Sequence, residues 1–186
     1  NRAKRAYKLV DSMLQYSDIG YSAPQKQQID LNRVLSEVIY EIDPPANIEI
    51  IVENELPVLI GDEKRIKQVF QHLLNNAVQY MDKPEGLIRL GCVKDDSYWK
   101  FSVTDNGPGI EEKYFEKIFQ MFQTLSPRDE FESTGIGLTV VKKIVELYGG
   151  RLWIESVPGE GSTFLFTFPK QETEVINAQQ QTYTAC

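Results

Sequence analysis

The residues with the clearest chemical potential form the run DNGPGI, Asp105 to Ile110. Strict alternation puts three earlier apolar residues and Asp105 on one face of a strand: Trp99, Phe101 and Val103. A buried carboxylate must either protonate or meet a hydrogen-bond donor. The two glycines that follow, Gly107 and Gly109, allow another group to approach closely. The run therefore fits either a plain turn or a site for a small ligand that donates from an amino group.

A second polar cluster lies on the predicted helix EKRIKQVFQHLLNNAVQYM, for which Asp62 is a good N-cap. One flank of this helix carries four polar residues: Arg65, His72, Asn76 and Gln79. Asn76 lies where the flank meets the buried face, so we expect a metal, a ligand or a backbone group as its partner. His72 and Gln79 fit a solvated flank equally well. With one His and two Cys in the chain, a zinc cluster is not expected.

A third candidate is the run GIGL, residues 135 to 138, which opens an amphipathic helix that ends at Gly149 and Gly150. Small residues before a helix leave backbone N–H groups free to bind an anion such as phosphate.

Strands and helices alternate around these three runs. We expect helices over 32–41, from 63 onward and over 135–150, and strands over 48–53, 58–61, 86–93, 97–105, 151–157 and 162–168. Four apolar residues after the DNGPGI run also have the spacing of a helix: Phe115, Ile118, Phe119 and Phe122.

The ends of the chain differ from this central part. Residues 1–22 read as an amphipathic helix that packs either on this domain or on another segment. Residues 23–28 read as a polar linker, and the polar residues 170–186 as a flexible tail.

The composition of the chain indicates which classes of partner and which cellular compartment to expect. The chain has 186 residues, a net charge of −7 and a pI near 4.9, which disfavours nucleic acids and anionic membranes as partners. Two cysteines do not make a disulfide framework and fit a reducing cytosol. No signal peptide or membrane-length apolar run is visible, so we expect a cytoplasmic fragment without direct membrane contact, whose parent protein is either anchored or not.

Four motifs in order resemble the ATP-binding catalytic domain of bacterial sensor histidine kinases, in the superfamily shared with gyrase, Hsp90 and MutL. They are HLLNNAVQY (72–80), DNGPGI (105–110), EKIFQMF (116–122) and GIGL (135–138). The resemblance covers residues 29–169 and includes a matching closing strand, GEGSTFLF (159–166). It implies an α/β (α+β) two-layer sandwich in which helices cover one face of a mixed sheet, with an additional N-terminal helix.

The resemblance also implies ligands and roles. Asp105 would accept from the adenine amino group of ATP, Tyr80 would pack near the base, and Asn76 would be the catalytic residue that ligates Mg²⁺. Many members carry Asn where this chain has His72, which leaves a catalytic role for His72 open. Gln79 stands where a basic residue often contacts phosphate.

Further nucleotide contacts are implied at Gly107, Gly109, Ile110, Phe119, Phe122, Arg128, Thr134, Gly135, Ile136, Gly137, Leu138 and Thr163. The first two glycines would let a lid over residues 111–134 swing, and the two Phe residues would anchor that lid. Gly135 and Gly137 would offer N–H groups to phosphate oxygens. Arg128, or one of Lys83, Lys142 and Lys143, would replace the missing basic residue.

The N-terminal helix resembles the second helix of the family's dimerisation hairpin, and the phospho-accepting histidine of that hairpin is not in this chain. We therefore expect the catalytic module of a two-component sensor histidine kinase, which donates the γ-phosphate of Mg-ATP to a histidine outside the fragment. Expected partners are the dimerisation hairpin, a second copy in the parent homodimer and a response regulator. The alternatives are a nucleotide-binding regulatory module without phosphotransfer and a stand-alone ATPase.

Overall fold

The structure is a computed structural model that describes residues 2–21, 25–125 and 134–170. Its helices are α1 (Arg2–Tyr21), α2 (Leu31–Ile42), α3 (Glu63–Gln79) and α4 (Gly137–Leu147). Its strands are β1 (Gln27–Asp30), β2 (Ile48–Val52), β3 (Val58–Gly61), β4 (Gly86–Lys94), β5 (Tyr98–Asp105), β6 (Leu152–Val157) and β7 (Gly161–Pro169).

Five strands form one mixed sheet in the order β2-β4-β5-β7-β6. Strands β2 and β4 are parallel, and the other neighbouring pairs are antiparallel. Strands β1 and β3 form a separate antiparallel pair. In the sheet register Asp105 at the end of β5 lies opposite Ser162 at the start of β7.

Helices α3 and α4 cover one face of this sheet, and α2 packs on α3. The core between the layers is aromatic, because Phe70 of α3 lies with its ring edge against Phe101 and Phe166, at centroid distances of 5.9 and 5.7 Å. Phe101 and Phe166 stack at 5.0 Å. All three are fully buried. The predicted two-layer α/β sandwich is therefore confirmed.

Side-chain caps fix the helix ends that border the core. Asp62 caps α3, as the sequence predicts, by accepting from the backbone N–H of Arg65. The hydroxyl of Tyr148, just after α4, accepts from the Asp62 N–H at 2.8 Å. This bond joins the start of α3 to the end of α4 and so holds the two helices in a fixed relation.

Helix α1 docks on the domain through its C-terminal part. Ile19 is buried, and the Lys143 ammonium donates to the Tyr16 carbonyl at 2.7 Å while lying 3.9 Å from the Tyr16 ring centroid. On another face, Tyr7 and Leu14 are 74% and 60% exposed. One face of α1 thus packs on α4, and another presents apolar side chains to solvent.

Two boundaries differ from the sequence prediction. Strand β1 begins at Gln27, inside the expected linker, because Gln27 and Gln28 pair with β3. The backbone of Lys170, expected to begin the tail, donates to the Ser97 carbonyl at 2.9 Å. Residues 171–186 and Arg128 lie outside the described residues. No helix in the described part of the chain is long and apolar enough to cross a membrane.

The segment after the DNGPGI run is not the helix that its spacing indicates. It forms two 3₁₀ turns, Glu112–Tyr114 and Lys117–Phe119, which an extended residue, Gln120, follows. Tertiary contacts override the periodicity here, because the Thr139 hydroxyl donates to the Phe119 carbonyl and the Phe119 ring packs edge-on against Phe164.

Candidate functional site

A cavity of about 690 Å³ lies beside α3 and reaches the start of α4 and the loop that follows β5. Eleven of the candidate site residues named from the sequence line it: His72, Asn76, Gln79, Tyr80, Asp105, Gly109, Ile110, Thr134, Gly135, Gly137 and Leu138. Three motifs that are far apart in the chain thus meet at one cavity, whose size suits a small organic ligand.

Asp105 supplies a half-buried carboxylate to the cavity wall. Burial raises its pKa above the ordinary value, while hydrogen bonds from the backbone N–H groups of Gly107 and Ser162 act in the opposite direction. The negative charge of Asp82 raises the pKa further. The Gly107 N–H lies 2.9 Å from Asp105 Oδ1. The Gly107 N–H holds the carboxylate, which still faces the cavity.

The loop that carries Asp105 is tightly held. Gly109 has φ +68°, and a Cβ there would lie 2.1 Å from the Val157 carbonyl oxygen. The Gly159 N–H donates to the Pro108 carbonyl at 2.7 Å. Asn106 Oδ1 accepts from the Leu87 N–H at 2.7 Å. These contacts pack Gly109 against β6, and the expected role of Gly107 and Gly109 in letting the lid swing stays a prediction.

Three cavity residues form a row along α3, one turn apart: His72, Asn76 and Tyr80. Eight residues of helix rise about 12 Å. The Tyr80 end adjoins the loop after β5, since the Tyr80 carbonyl lies 3.8 Å from the position of a Cβ on Gly107. The His72 end adjoins α4, since His72 Nδ1 lies 3.1 Å from the position of a Cβ on Gly137. The cavity therefore runs along α3 from the Asp105 loop to the start of α4.

His72 is the one histidine of the chain, and its half-buried imidazole faces this cavity. Burial lowers the pKa of His72 to about 4. The imidazole is therefore neutral near pH 7, where it donates from one nitrogen and accepts at the other.

The start of α4 is open to an anion. Ile136, in the capping position, makes no side-chain cap, and Gly137 and Leu138 of the first turn line the cavity. Because the first N–H groups of a helix have no intrahelical partner, they can donate to an anion in the cavity, assisted by the helix dipole. Gly135, at φ +66°, packs against the backbone of Gln123, which leaves no room for a Cβ.

Some predicted site residues lie elsewhere. The Thr163 hydroxyl meets the Thr104 hydroxyl at 3.1 Å on the sheet face opposite the cavity, whereas Ser162 lines the cavity and is 6% exposed. Because side chains alternate along a strand, Ser162 replaces Thr163 among the candidate contacts. Ser162, Phe164 and Phe166 are two residues apart and so lie on the same face of β7. This alternation could have identified Ser162 from the sequence.

Four further residues are placed beside the cavity wall without lining it: Gly107, Phe119, Phe122 and Ile136. The Ile136 side chain is 1% exposed and belongs to the core. Phe119 packs against Phe164, as an anchor would. Phe122 is 44% exposed, so the ring is no anchor, and its backbone N–H instead donates to the Gly135 carbonyl at 2.9 Å.

The described residues contain no group of three His, Cys, Asp or Glu side chains that could hold a metal by themselves. Asn76 offers an amide oxygen to the cavity between its two ends. Mg²⁺ commonly takes one or two protein oxygens and completes its shell with phosphate oxygens and water, so this donor set fits Mg²⁺ that arrives with a phosphate ligand.

Comparison with known proteins gives a consistent result. The family described as "Histidine kinase-, DNA gyrase B-, and HSP90-like ATPase" matches residues 61–172. Phytochrome-like protein Cph1 of Synechocystis sp. is 35% identical over 166 residues, which cover 87% of this chain and 22% of Cph1. Cyanobacterial phytochrome B of Nostoc sp. is 40% identical over 169 residues, which cover 88% of this chain and 22% of that protein. The chain thus spans about a fifth of the length of these curated relatives.

Solved structures share the fold. The catalytic domain of histidine kinase ThkA aligns with a TM-score of 0.64 and 31% identity over 78% of this chain and 96% of that domain. Full-length ShkA in complex with AMPPNP aligns with a TM-score of 0.74 and 27% identity over 87% of this chain and 35% of ShkA. The chain therefore belongs to the histidine kinase-, DNA gyrase B- and HSP90-like ATPase family, as a catalytic ATPase domain of the sensor histidine kinase type.

Proposed function

We propose that this chain binds Mg-ATP and donates its γ-phosphate to a histidine outside the chain, as the catalytic module of a two-component sensor histidine kinase. The observation that carries the proposal is the layout of one cavity along α3. The half-buried carboxylate of Asp105 lies near one end, an uncapped helix start lies near the other, and Asn76 lies between them. The stretch from His72 to Tyr80 is about 12 Å long, and this length suits a nucleotide with its base at Asp105 and its phosphates at α4.

The base end recognises an amino group. The Asp105 carboxylate accepts from the adenine amino group, and this donor favours the ionised form that burial disfavours. The ring of Tyr80 and the side chain of Ile110 border the same end of the cavity and bury the base. Apolar surface that is removed from water contributes roughly 25 cal/mol per Å² to binding.

The phosphate end combines backbone donors with one metal ligand. We assign the N–H groups at Gly135, Gly137 and Leu138, which line the cavity, as donors to phosphate oxygens, and Asn76 as the ligand of Mg²⁺. When bound, Mg²⁺ neutralises phosphate charge and orients the transferred group. The neutral imidazole of His72 adjoins Gly137 and borders this end as a hydrogen-bonding group.

The domain acts by positioning rather than by covalent catalysis, since phosphoryl transfer depends mainly on alignment and charge stabilisation. His72 is unsuited as the acceptor, because it lies on the same rigid helix that supplies Asn76 to the metal. The attacking imidazole must approach from the far side of the γ-phosphate. We therefore assign the acceptor to a dimerisation hairpin, for which α1 is the proposed second helix.

The proposed partners follow from this assignment. They are that hairpin, a second copy within a homodimeric parent and a downstream response regulator. The proposed location is the cytoplasm, and neither nucleic acid nor direct membrane contact is part of the proposal. The second candidate function is a regulatory nucleotide-binding module without phosphotransfer. Gln79 favours it, because this uncharged residue lines the cavity at a position where a basic residue that contacts phosphate is expected.

Calorimetry on Asp105→Asn tests the base contact. The substitution removes a charge-assisted hydrogen bond of about 1.5 to 3 kcal/mol, so ATP affinity should fall by a factor of about 10 to 100. Asp82→Asn is the matched control, because it removes an equal charge from an exposed residue near Asp105 and leaves the cavity wall intact. ATP affinity that is unchanged in folded Asp105→Asn would remove Asp105 from the site.

Labelling with γ-labelled ATP separates kinase from regulatory module. The chain alone should stay unlabelled, and a supplied hairpin that carries an acceptor histidine should gain acid-labile, alkali-stable label. A hairpin that stays unlabelled while ATP binds would favour the regulatory module. Label on the chain alone that is lost in His72→Gln would make His72 an acceptor.

A further inference from the structure

The hydroxyl of Ser156, on β6, connects three parts of the cavity wall. Its Oγ lies 2.8 Å from the Ile110 N–H, 2.7 Å from the Gly161 carbonyl and 3.0 Å from the Ser162 hydroxyl. Ser156 itself does not line the cavity, but Ile110 and Ser162 do. Ser156 therefore acts on a bound ligand through its neighbours.

The directions of these three hydrogen bonds follow from the groups involved. A backbone N–H can only donate and a carbonyl can only accept, so Ser156 accepts from Ile110 and gives its single proton to Gly161. No proton of Ser156 remains for Ser162. The Ser162 hydroxyl must therefore be the donor in the bond between the two serines.

Ser162 is consequently an acceptor toward the cavity. Its one hydroxyl proton points at Ser156, so only its lone pairs are available to a ligand. Asp105 lies opposite Ser162 in the sheet, and its carboxylate is also an acceptor. The backbone N–H of Ser162 also acts on that carboxylate and lowers its pKa. This part of the wall thus offers two side-chain acceptors and no hydroxyl donor.

We propose that Ser156 is a specificity-determining residue that fixes Ser162 as an acceptor, so that the cavity selects a nucleobase with an exocyclic amino group over one with a carbonyl at the same position. The inference rests on the proposed nucleotide-binding function and deepens it. A carbonyl that faces two acceptors has no donor, and sites built for one hydrogen-bond pattern discriminate strongly against the opposite one.

Ser156 also holds the loop that presents Asp105. Ile110 is the last residue of the DNGPGI run. Gly161 packs against the first residue of that run, since a Cβ on Gly161 would lie 1.9 Å from the Asp105 carbonyl oxygen. The bonds from Ser156 to Ile110 and Gly161 therefore keep Asp105 and Ser162 in register.

The test compares ATP with ITP, which carries a carbonyl in place of the amino group. In Ser156→Ala the Ser162 hydroxyl is free to turn toward the cavity and donate to that carbonyl. We expect the ratio of ATP affinity to ITP affinity, measured by calorimetry with Mg²⁺, to fall by about tenfold from its wild-type value. Ser156→Thr retains the hydroxyl and should restore most of the ratio.

Thr104→Val is the matched control. It removes one hydroxyl from the Thr104–Thr163 pair, next to Asp105 in the chain but on the opposite sheet face. A general loosening of the sheet would lower both affinities in this control, whereas the ATP to ITP ratio should stay at the wild-type value. The melting temperature of each variant reports folding separately.

An unchanged ratio in folded Ser156→Ala would overturn the inference and leave the nucleotide-binding proposal intact. If Ser156→Ala does not fold, Ser162→Ala provides the second test, because it removes the oriented hydroxyl and keeps the bonds from Ser156 to Ile110 and Gly161. The ratio should then fall as well, and an unchanged ratio would again overturn the inference. Wild-type protein that binds neither nucleotide would overturn the proposed function and the inference together.

Discussion

Replacement of His72 by Asn should remove a defined part of the pH dependence of folding stability. Burial lowers the pKa of His72 from 6.5 to about 4, so between these values the unfolded chain binds a proton that the folded chain does not. The contribution of His72 to the free energy of unfolding is therefore fully present above about pH 7. It is lost as the pH falls from 6.5 toward 4.

The expected size follows from linkage. Between pH 7.5 and pH 5.5, protonation of His72 in the unfolded chain should lower the free energy of unfolding by about 1 kcal/mol. This value depends mainly on the unfolded pKa, because an imidazole with a pKa near 4 stays neutral at both values of pH. The chosen range also stays above the pI near 4.9, where solubility is lowest.

Urea unfolding of the nucleotide-free protein, followed by circular dichroism at both values of pH, measures the effect. His72→Asn keeps a polar side chain of smaller size and does not titrate, so the wild-type protein should lose about 1 kcal/mol more than the variant between pH 7.5 and 5.5. Carboxylates contribute equally to both proteins and cancel in the difference. Equal losses in the two proteins would show that His72 titrates normally and would refute its burial.

Three further predictions follow from the packing. Phe166→Ala should lower the free energy of unfolding by about 3 to 5 kcal/mol, because it removes a fully buried ring from the core, and urea unfolding measures this loss. Gly109→Ala should weaken ATP binding in calorimetry more than Gly159→Ala does, because a Cβ on Gly109 would meet the Val157 carbonyl at 2.1 Å, whereas a Cβ on Gly159 would meet no atom within 4 Å. Equal effects of the two would contradict the tight packing of Gly109. Without nucleotide, amides of residues 111–125 should exchange hydrogen faster than those of 87–105, because they have only two short 3₁₀ turns, and equal protection would contradict this.

Local periodicity was sufficient for much of the architecture. Alternation along β5 put Phe101 and Asp105 on the core side, and the spacing of His72 and Asn76 on α3 put both on the cavity. Asp62 was identified as a helix cap. These features depend on neighbours within one or two turns or along one strand, so the sequence alone determines them.

Other features depended on residues that are distant in the chain. The Phe119 segment follows a helical pattern, but Thr139 and Phe164 draw it into 3₁₀ turns. Gly109 lies in a glycine-rich turn, a pattern that indicates a flexible backbone. The Val157 carbonyl, 48 residues further along the chain, nevertheless leaves no room for a side chain at Gly109.

The pair formed by Ser156 and Ser162 is the clearest example of a feature that the sequence alone does not predict. The sequence shows neither which residue of β7 faces Asp105 nor which group receives the proton of Ser156. Strand register decides the first, because a shift of one residue exchanges Ser162 for Thr163 at the wall. The approach of Ile110, Gly161 and Ser162 to one hydroxyl decides the second. Such donor and acceptor assignments exist only once three segments have been brought together, so only the tertiary structure could determine them.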